Sequence, residues 1–297
     1  MRKLINLVLI ISSMLLINVQ MYAQNVGIGA NTFTPDASAG LEIQLTKKGL
    51  LIPRMTTAQR DSISNPAQSL LIFNTTTKCY EGYLDGAWKQ LACSFTCGNT
   101  LTVTHDDAGG VAPVDKTVTY ETVSTNLSGA TKCWITQNLG ATDQASSATD
   151  SDEASAGWYW QFNRKQGYKH DGTTRTPNTT WISSIDESSD WLPANDPCTI
   201  LLGTGWRIPT KTEWENADNT GGWDNYTETY NSVLKLHAAG CLRDSDGSLY
   251  RRGSYGYHWS STRGSSTDGW YLFFNSGYSH MNTTTKAHGI SLRCLRD

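Results

Sequence analysis

Gly205-Trp206-Arg207-Ile208-Pro209-Thr210-Lys211-Thr212-Glu213-Trp214-Glu215 (GWRIPTKTEWE) holds the clearest helix start in the chain. Thr210 followed three residues later by Glu213 is a capping-box pattern, in which hydroxyl and carboxylate satisfy each other's orphan backbone N–H groups. A helix is therefore expected to start there, carry Trp214 inward and stop at Gly221-Gly222. Outward from it the pattern is β. Trp134-Ile135-Thr136, Gly157 to Phe162 (GWYWQF), Gly256 to Thr262 (GYHWSST), Gly269 to Asn275 (GWYLFFN) and Gly289 to Leu295 (GISLRCL) read as strands. Leu234 to Leu242 is a further strand candidate, and Asp246-Gly247 a turn. Residues 163–200 read as a long surface excursion.

Composition places the chain outside the cytoplasm. Arg2 and Lys3, the apolar run Leu7 to Ile17 and the small Ala23 have the layout of a signal peptide over residues 1–23. The run is short for a bilayer span, which takes roughly 20 apolar residues, and no later segment is apolar enough to cross. Removing the leader takes two of the 24 Lys and Arg and none of the 27 Asp and Glu. A weakly acidic chain whose longest basic cluster is Arg251-Arg252 argues against a nucleic-acid partner. With only 17% charged residues, 11 Trp and 13 Tyr, it does not read as a helical cytosolic enzyme.

All 7 cysteines lie beyond the leader. In an oxidising compartment disulfides are the default, and an odd count leaves one free or paired between chains. Cys93-x-x-x-Cys97 is the one close pair and has no second pair at zinc spacing, so no metal site is expected.

Residues 24–92 read as a small β-rich module. Thr56 caps a short helix that Asn65-Pro66 ends. Cys79 to Cys93 forms a hairpin around Asp85-Gly86. A three-residue turn with a bulge at Gly86 would set Cys79 opposite Cys93. So small and weakly apolar a module struggles to bury its own core, and oligomerisation is one way out. Residues 93–130 read as a β-rich connection, and 131–297 as the larger domain.

Two resemblances follow from particular residues. VGIG at 26–29, TPDASAGLEI at 34–43, KGLLIPRMTTAQRDSI at 48–63 and LLIFNTTT at 70–77 resemble the N-terminal segment of many secreted Bacteroidetes-type surface proteins. That segment is similar to pieces of phage tail fibres, which implies a possible homotrimer. KCWITQNLGA at 132–141, GWYWQF, DPC at 196–198, GWRIPTKTEWE, LKLHAAGCLR at 234–243, GSYGYHWSST at 253–262 and SLRCLRD at 291–297 resemble the Fibrobacter succinogenes major paralogous domain. This second resemblance implies an α+β, C-type-lectin-like domain with long loops. Within it a Cys198–Cys294 bridge would close a loop of nearly a hundred residues. Cys133 and Cys241 are left as a second pair, with Cys241 as a free thiol the alternative.

Most Trp sit in regular elements and read as core. Trp181, Trp191 and Trp223 fall in loop-like stretches and are the ligand-binding candidates. Calcium-dependent sugar binding lacks its EPN or QPD and WND triplets; Trp223-Asp224-Asn225 has the letters in another order. Asp244-Ser245-Asp246-Gly247 is half a calcium loop without the later Glu, and Asp150, Asp152 and Glu153 are an acidic run, so no cofactor is expected. There is no G-x-S-x-G, HExxH or phosphate loop, and the six His are scattered, so no enzyme is expected. The sequence reads as an exported binding or adhesion protein at the cell surface, presenting its second domain to a carbohydrate or protein ligand. A purely structural or assembly subunit of a surface appendage is the first alternative, and a hydrolase or modifying enzyme of the same fold the second.

Overall fold

The computed structural model describes residues 25–93, 95–203 and 205–297, with backbone alone at 92 and 93. The leader at 1–23 lies outside the described residues. The chain divides into two compact units on either side of the Ser94/Phe95 junction.

The first unit holds β1 (Val26–Gly29), β2 (Leu41–Gln44), β3 (Arg54–Met55), α1 (Thr57–Asp61), β4 (Leu71–Asn74), β5 (Cys79–Leu84) and β6 (Ala87–Cys93). β1 and β2 pair in parallel; β3-β4-β5-β6 form a separate sheet. Thr56 and Gln59 cap α1 reciprocally. Asp85 (φ 52°) and Gly86 (φ 78°) make a two-residue turn, since Leu84 pairs with Ala87. The extra residue expected at Gly86 is instead at Leu91, where the register shifts between Tyr80 and Glu81. Cys79 still faces Cys93 across the ladder, and Cys79 is disulfide-bonded.

The second unit begins with the hairpin β7 (Leu101–His105) and β8 (Lys116–Tyr120). Next come β9 (Thr122–Thr125), β10 (Lys132–Ile135), α2 (Glu153–Ala156), β11 (Tyr159–Trp160), β12 (Gly167–His170) and β13 (Arg175–Thr176). Then follow α3 (Pro197–Leu202), β14 (Trp206–Arg207), α4 (Lys211–Gly221), α5 (Tyr226–Asn231), β15 (Cys241–Leu242) and β16 (Leu249–Tyr250). The unit ends with β17 (Gly256–Arg263), β18 (Asp268–Phe274), β19 (Ser279–Thr285), β20 (Gly289–Ser291) and β21 (Leu295–Arg296). A four-stranded sheet runs β14-β21-β10-β9, and a nine-stranded one runs β13-β12-β11-β20-β17-β18-β19 with β15 and β16 attached beside β20.

This architecture corrects the α+β, C-type-lectin-like expectation. The described chain is mostly β, with five short α-helices among many strands. α1 and α4 both open on a capping box, but α1 stops after five residues and only α4 runs to eleven. Gly157, Gly203 and Ser232 end α2, α3 and α5 after four to six residues. Leu234 to Gly240 is not strand; only Cys241–Leu242 pairs.

α4 packs on one face of the β17-β18-β19 sheet. Trp214 is fully buried there, against Trp134, Leu272 and Phe274, and donates Nε1–H to the Trp259 carbonyl at 3.1 Å. Arg207 ties the helix start down through two bonds to Glu213, at 2.8 and 2.6 Å. Thr210→Ala removes the hydroxyl that accepts from Glu213 N–H. It is expected to cost about 1 kcal/mol in denaturant unfolding; an unchanged midpoint would show the cap is redundant.

Two disulfides fasten the second unit. Asp196 is buried and accepts from Cys198, Thr199 and Ile208 N–H, which sets α3 so that Cys198 meets Cys294. Cys97 joins Cys133. This corrects the Cys133–Cys241 pairing: Cys133 lies in the four-stranded sheet and Cys241 in the nine-stranded one, bonded to Ile290. Cys241 is a buried free thiol, pushed up to about 12 by burial.

Candidate functional site

Among the described residues of the first unit, one sheet face is left uncovered. Alternation places Ile72, Asn74, Cys79 and Glu81 on one side of β4 and β5. These are buried beneath α1, whose Arg60 pairs with Glu81 at 2.7 Å and lies over Trp88. Leu71, Phe73 and Tyr80 face the other way, and Leu91 bulges over Gly82 on that same side. Leu71, Tyr80 and Leu91 are 39%, 47% and 53% exposed. The β1–β2 pair repeats the pattern. Val26 stands opposite Leu41 and Ile28 opposite Ile43, forming an apolar stripe that is largely exposed. Leu50 and Leu51 are more exposed still. Among the described residues of this unit, the buried apolar side chains are Ile72 and Cys79. Several neighbouring apolar chains left in water on a small unit mark a surface meant to be covered.

Residues 27–105 match the phage tail like trimerisation region. The match thus runs from β1 of the first unit through β7 of the second. A second family, described as Domain of unknown function (DUF8237), matches residues 219–295, from the end of α4 to β21. Each match covers about a quarter of the chain, and neither is the Fibrobacter succinogenes major paralogous domain. No curated protein and no solved structure matches this chain.

The three loop tryptophans have structural partners. Trp191 is 5% exposed, packs on Phe162 and donates Nε1–H to the Asn195 carbonyl at 3.0 Å. Trp223 is 4% exposed and joins the Trp134–Trp214 cluster, at the edge of an open groove shared with Thr125, Leu127 and Val233. Trp181 is half-buried. It packs at a tilt against Tyr168, carries Arg175 over its ring at 4.7 Å, and donates Nε1–H to the Asp244 carbonyl. Arg175 also donates to the Asp246 carbonyl. Together they pin the β15–β16 turn, where Gly247 (φ 71°) has no room for a Cβ against either side chain. The excursion 163–200 is likewise tied down, by Arg164 with Glu187 and by Gln161 on the Ile182 carbonyl.

The acidic stretches are used locally. Asp246 accepts from Ser248 N–H, and Asp150 from Ser146 and Asp152 N–H. Asp106, Asp107 and Asp115 cluster on the surface, and Asp115 raises the pKa of Asp107. Their hydrogen bonds are those of the β7–β8 turn.

What the alternating pattern of β17 and β18 does produce is a row of rings on the sheet face away from α4. Tyr257 pairs with Phe273 and Trp259 with Tyr271, while His280 of β19 flanks Phe273. Tyr255 and Tyr278 extend the row at 5.5 and 5.6 Å from Phe273. Tyr257, Trp259, Tyr271 and Phe273 lie in the strands and belong to the buried core, whereas Tyr255 and Tyr278 sit just outside β17 and β19. The period-two recurrence of Tyr255, Tyr257 and Trp259 was the available signal.

Besides His170, three histidines of the second unit are buried: His105, His237 and His258. His105 bonds the Tyr120 hydroxyl at 2.8 Å, and His258 stacks between Trp214 and Phe274. Burial lowers His105 to about 4, with Lys116 adding to it. Burial and the enclosed Arg293 cation lower His237 to about 3 and His258 well below the usual histidine range. All three are held neutral when folded and bind protons near pH 6.5 when unfolded. The stability they contribute is present above pH 6.5 and is lost as pH falls toward 3 to 4. At full coupling the slope approaches three protons, about 4 kcal/mol per pH unit. His258→Phe keeps the stack and removes one proton from that slope, as urea unfolding at pH 7, 6 and 5 will read. An identical slope in the variant would place the titration elsewhere.

Proposed function

We propose that the protein is an exported structural subunit that assembles as a homotrimer at the outer cell surface, with its first unit as the assembly element. The observation that carries this reading is the open apolar face of Leu71, Phe73, Tyr80 and Leu91 within a stretch that matches a trimerisation region. Three copies arranged about a rotation axis can bury in common what one copy leaves in water. Leu71 and Leu91, about half exposed in the single chain, would each contribute about 1 kcal/mol when covered.

Disulfides at Cys97–Cys133 and Cys198–Cys294 support an oxidising compartment. Among the described residues no helix is long and apolar enough to cross a membrane. In this reading the second unit, tied by its own disulfides, is what the assembly displays. Sedimentation equilibrium on residues 24–297 tests the proposal. The expected particle has three times the chain mass across the micromolar range; a monomer throughout that range rules it out.

A further inference from the structure

The row of rings on β17 and β18 ends in two arginines that form no salt bridge among the described residues, although the charge of Arg243 reaches Asp246 in the β15–β16 turn. Arg243 and Arg251 are both exposed, and both lie over the ring of Tyr250, at 4.1 and 5.2 Å from its centroid. Arg251 also lies 5.0 Å from the ring of Tyr255. Neither arginine is among the ion pairs of the described residues, although the chain as a whole is acidic. A guanidinium stacked on a ring is held in place with its in-plane N–H donors still directed outward, the geometry that grips carboxylate or sulfate.

From this cationic end the rings lead away in short steps. Tyr255 is 5.5 Å from Phe273, and Phe273 is 5.6 Å from Tyr278, which is 50% exposed at the far end. Phe273 itself is recessed to 7% exposure, so the surface is a narrow strip with hydroxyl-bearing edges and not a broad apolar patch. Asn282, exposed on β19 and paired with Tyr271, borders the strip.

We propose that this strip binds an acidic polysaccharide. The apolar faces of its sugar rings would stack on Tyr255 and Tyr278, and a uronate or sulfate group would engage Arg243 and Arg251. An aromatic platform supplies area without sequence-like specificity, and the arginines select for charge. A narrow strip suits a slender chain better than a folded protein surface, which needs a wider contact. The site lies wholly within the second unit, so it does not depend on whether the chain trimerises.

The test measures calorimetric binding of residues 24–297 to a short oligogalacturonate, a sulfated oligosaccharide, a neutral dextran oligomer and polyglutamate. Binding is expected for the first two, weakening with added salt, and not for dextran. Arg243→Ala with Arg251→Ala is expected to weaken binding by about tenfold or more, and Tyr278→Ala by several-fold. Both changes are at exposed positions, so unchanged urea unfolding certifies the fold. Arg243→Lys with Arg251→Lys, which keeps charge but loses the planar fork, is expected to fall between wild type and the alanine pair. Equal binding of dextran, or full binding by the alanine pair, overturns the proposal. Binding of polyglutamate without either acidic sugar would make the strip a surface for acidic protein and overturns it equally.

Discussion

Leu71→Asp combined with Tyr80→Asp is expected to reduce the sedimenting mass threefold while leaving the second unit folded. Both side chains lie on the sheet face that α1 does not cover, at 39% and 47% exposure in the single chain. In a trimer the exposed parts of six such side chains would be buried, worth about 4–8 kcal/mol per particle on area alone. Aspartate in their place also carries the cost of desolvating an unpaired charge. The same substitutions would be nearly neutral on a surface that stays in water, so the mass separates the two cases cleanly. The second unit has its own Trp-rich clusters and two disulfides, so its unfolding transition should persist. A double variant that remains trimeric would mean that the chains meet elsewhere, with the β1–β2 stripe of Val26, Ile28 and Leu41 the next surface to change.

Replacing Cys198 and Cys294 together by Ala is expected to cost about 5 kcal/mol in denaturant unfolding of the second unit. The bridge closes 96 residues of chain, and the entropy removed from the unfolded state grows with the logarithm of that length. The Cys97–Cys133 bridge spans 36 residues, so the same change there should cost about 4 kcal/mol. The longer bridge has a further consequence. It holds α3 against the end of the chain, where Lys132 and Arg207 converge on Asp297. Their hydrogen bonds and charge lower Asp297 to about 2. A measured cost below about 2 kcal/mol for Cys198 and Cys294 would show that the unfolded chain is already compact enough to lose little by the closure.

Much of the local structure was legible because it depends on neighbours in sequence. Thr210 with Glu213 announces α4, and Thr56 with Gln59 caps α1, because a capping box needs only four consecutive residues. Asp85-Gly86 announces its hairpin because both positions need positive φ. Its register was only half legible. The two-residue turn leaves Cys79 opposite Cys93 solely because Leu91 bulges, and a bulge is fixed by packing across the sheet.

The loop tryptophans show where such reading stops. Trp191 and Trp223 lie in irregular backbone, yet Phe162 and the Trp134–Trp214 pair cover them. Irregular backbone does not imply exposure. Conversely, Tyr278 belongs to a strand-rich stretch that looks like core, yet it is 50% exposed.

What the sequence by itself supports is a proposal about the kind of protein. Its basic, apolar and small leader, its cysteines, its weak acidity and its under-apolar first module are the grounds for proposing an exported chain that needs partners. These follow from composition and short-range pattern, and no three-dimensional arrangement is required to read them. Only the tertiary structure decided that Cys133 bonds Cys97 and not Cys241, because sheet membership sets which thiols come within reach. It also decided that the second unit is mostly β, and that Leu71, Phe73, Tyr80 and Leu91 share one uncovered face. Strand pairing joins residues distant in sequence, and that pairing, not propensity, chooses which side chains meet water.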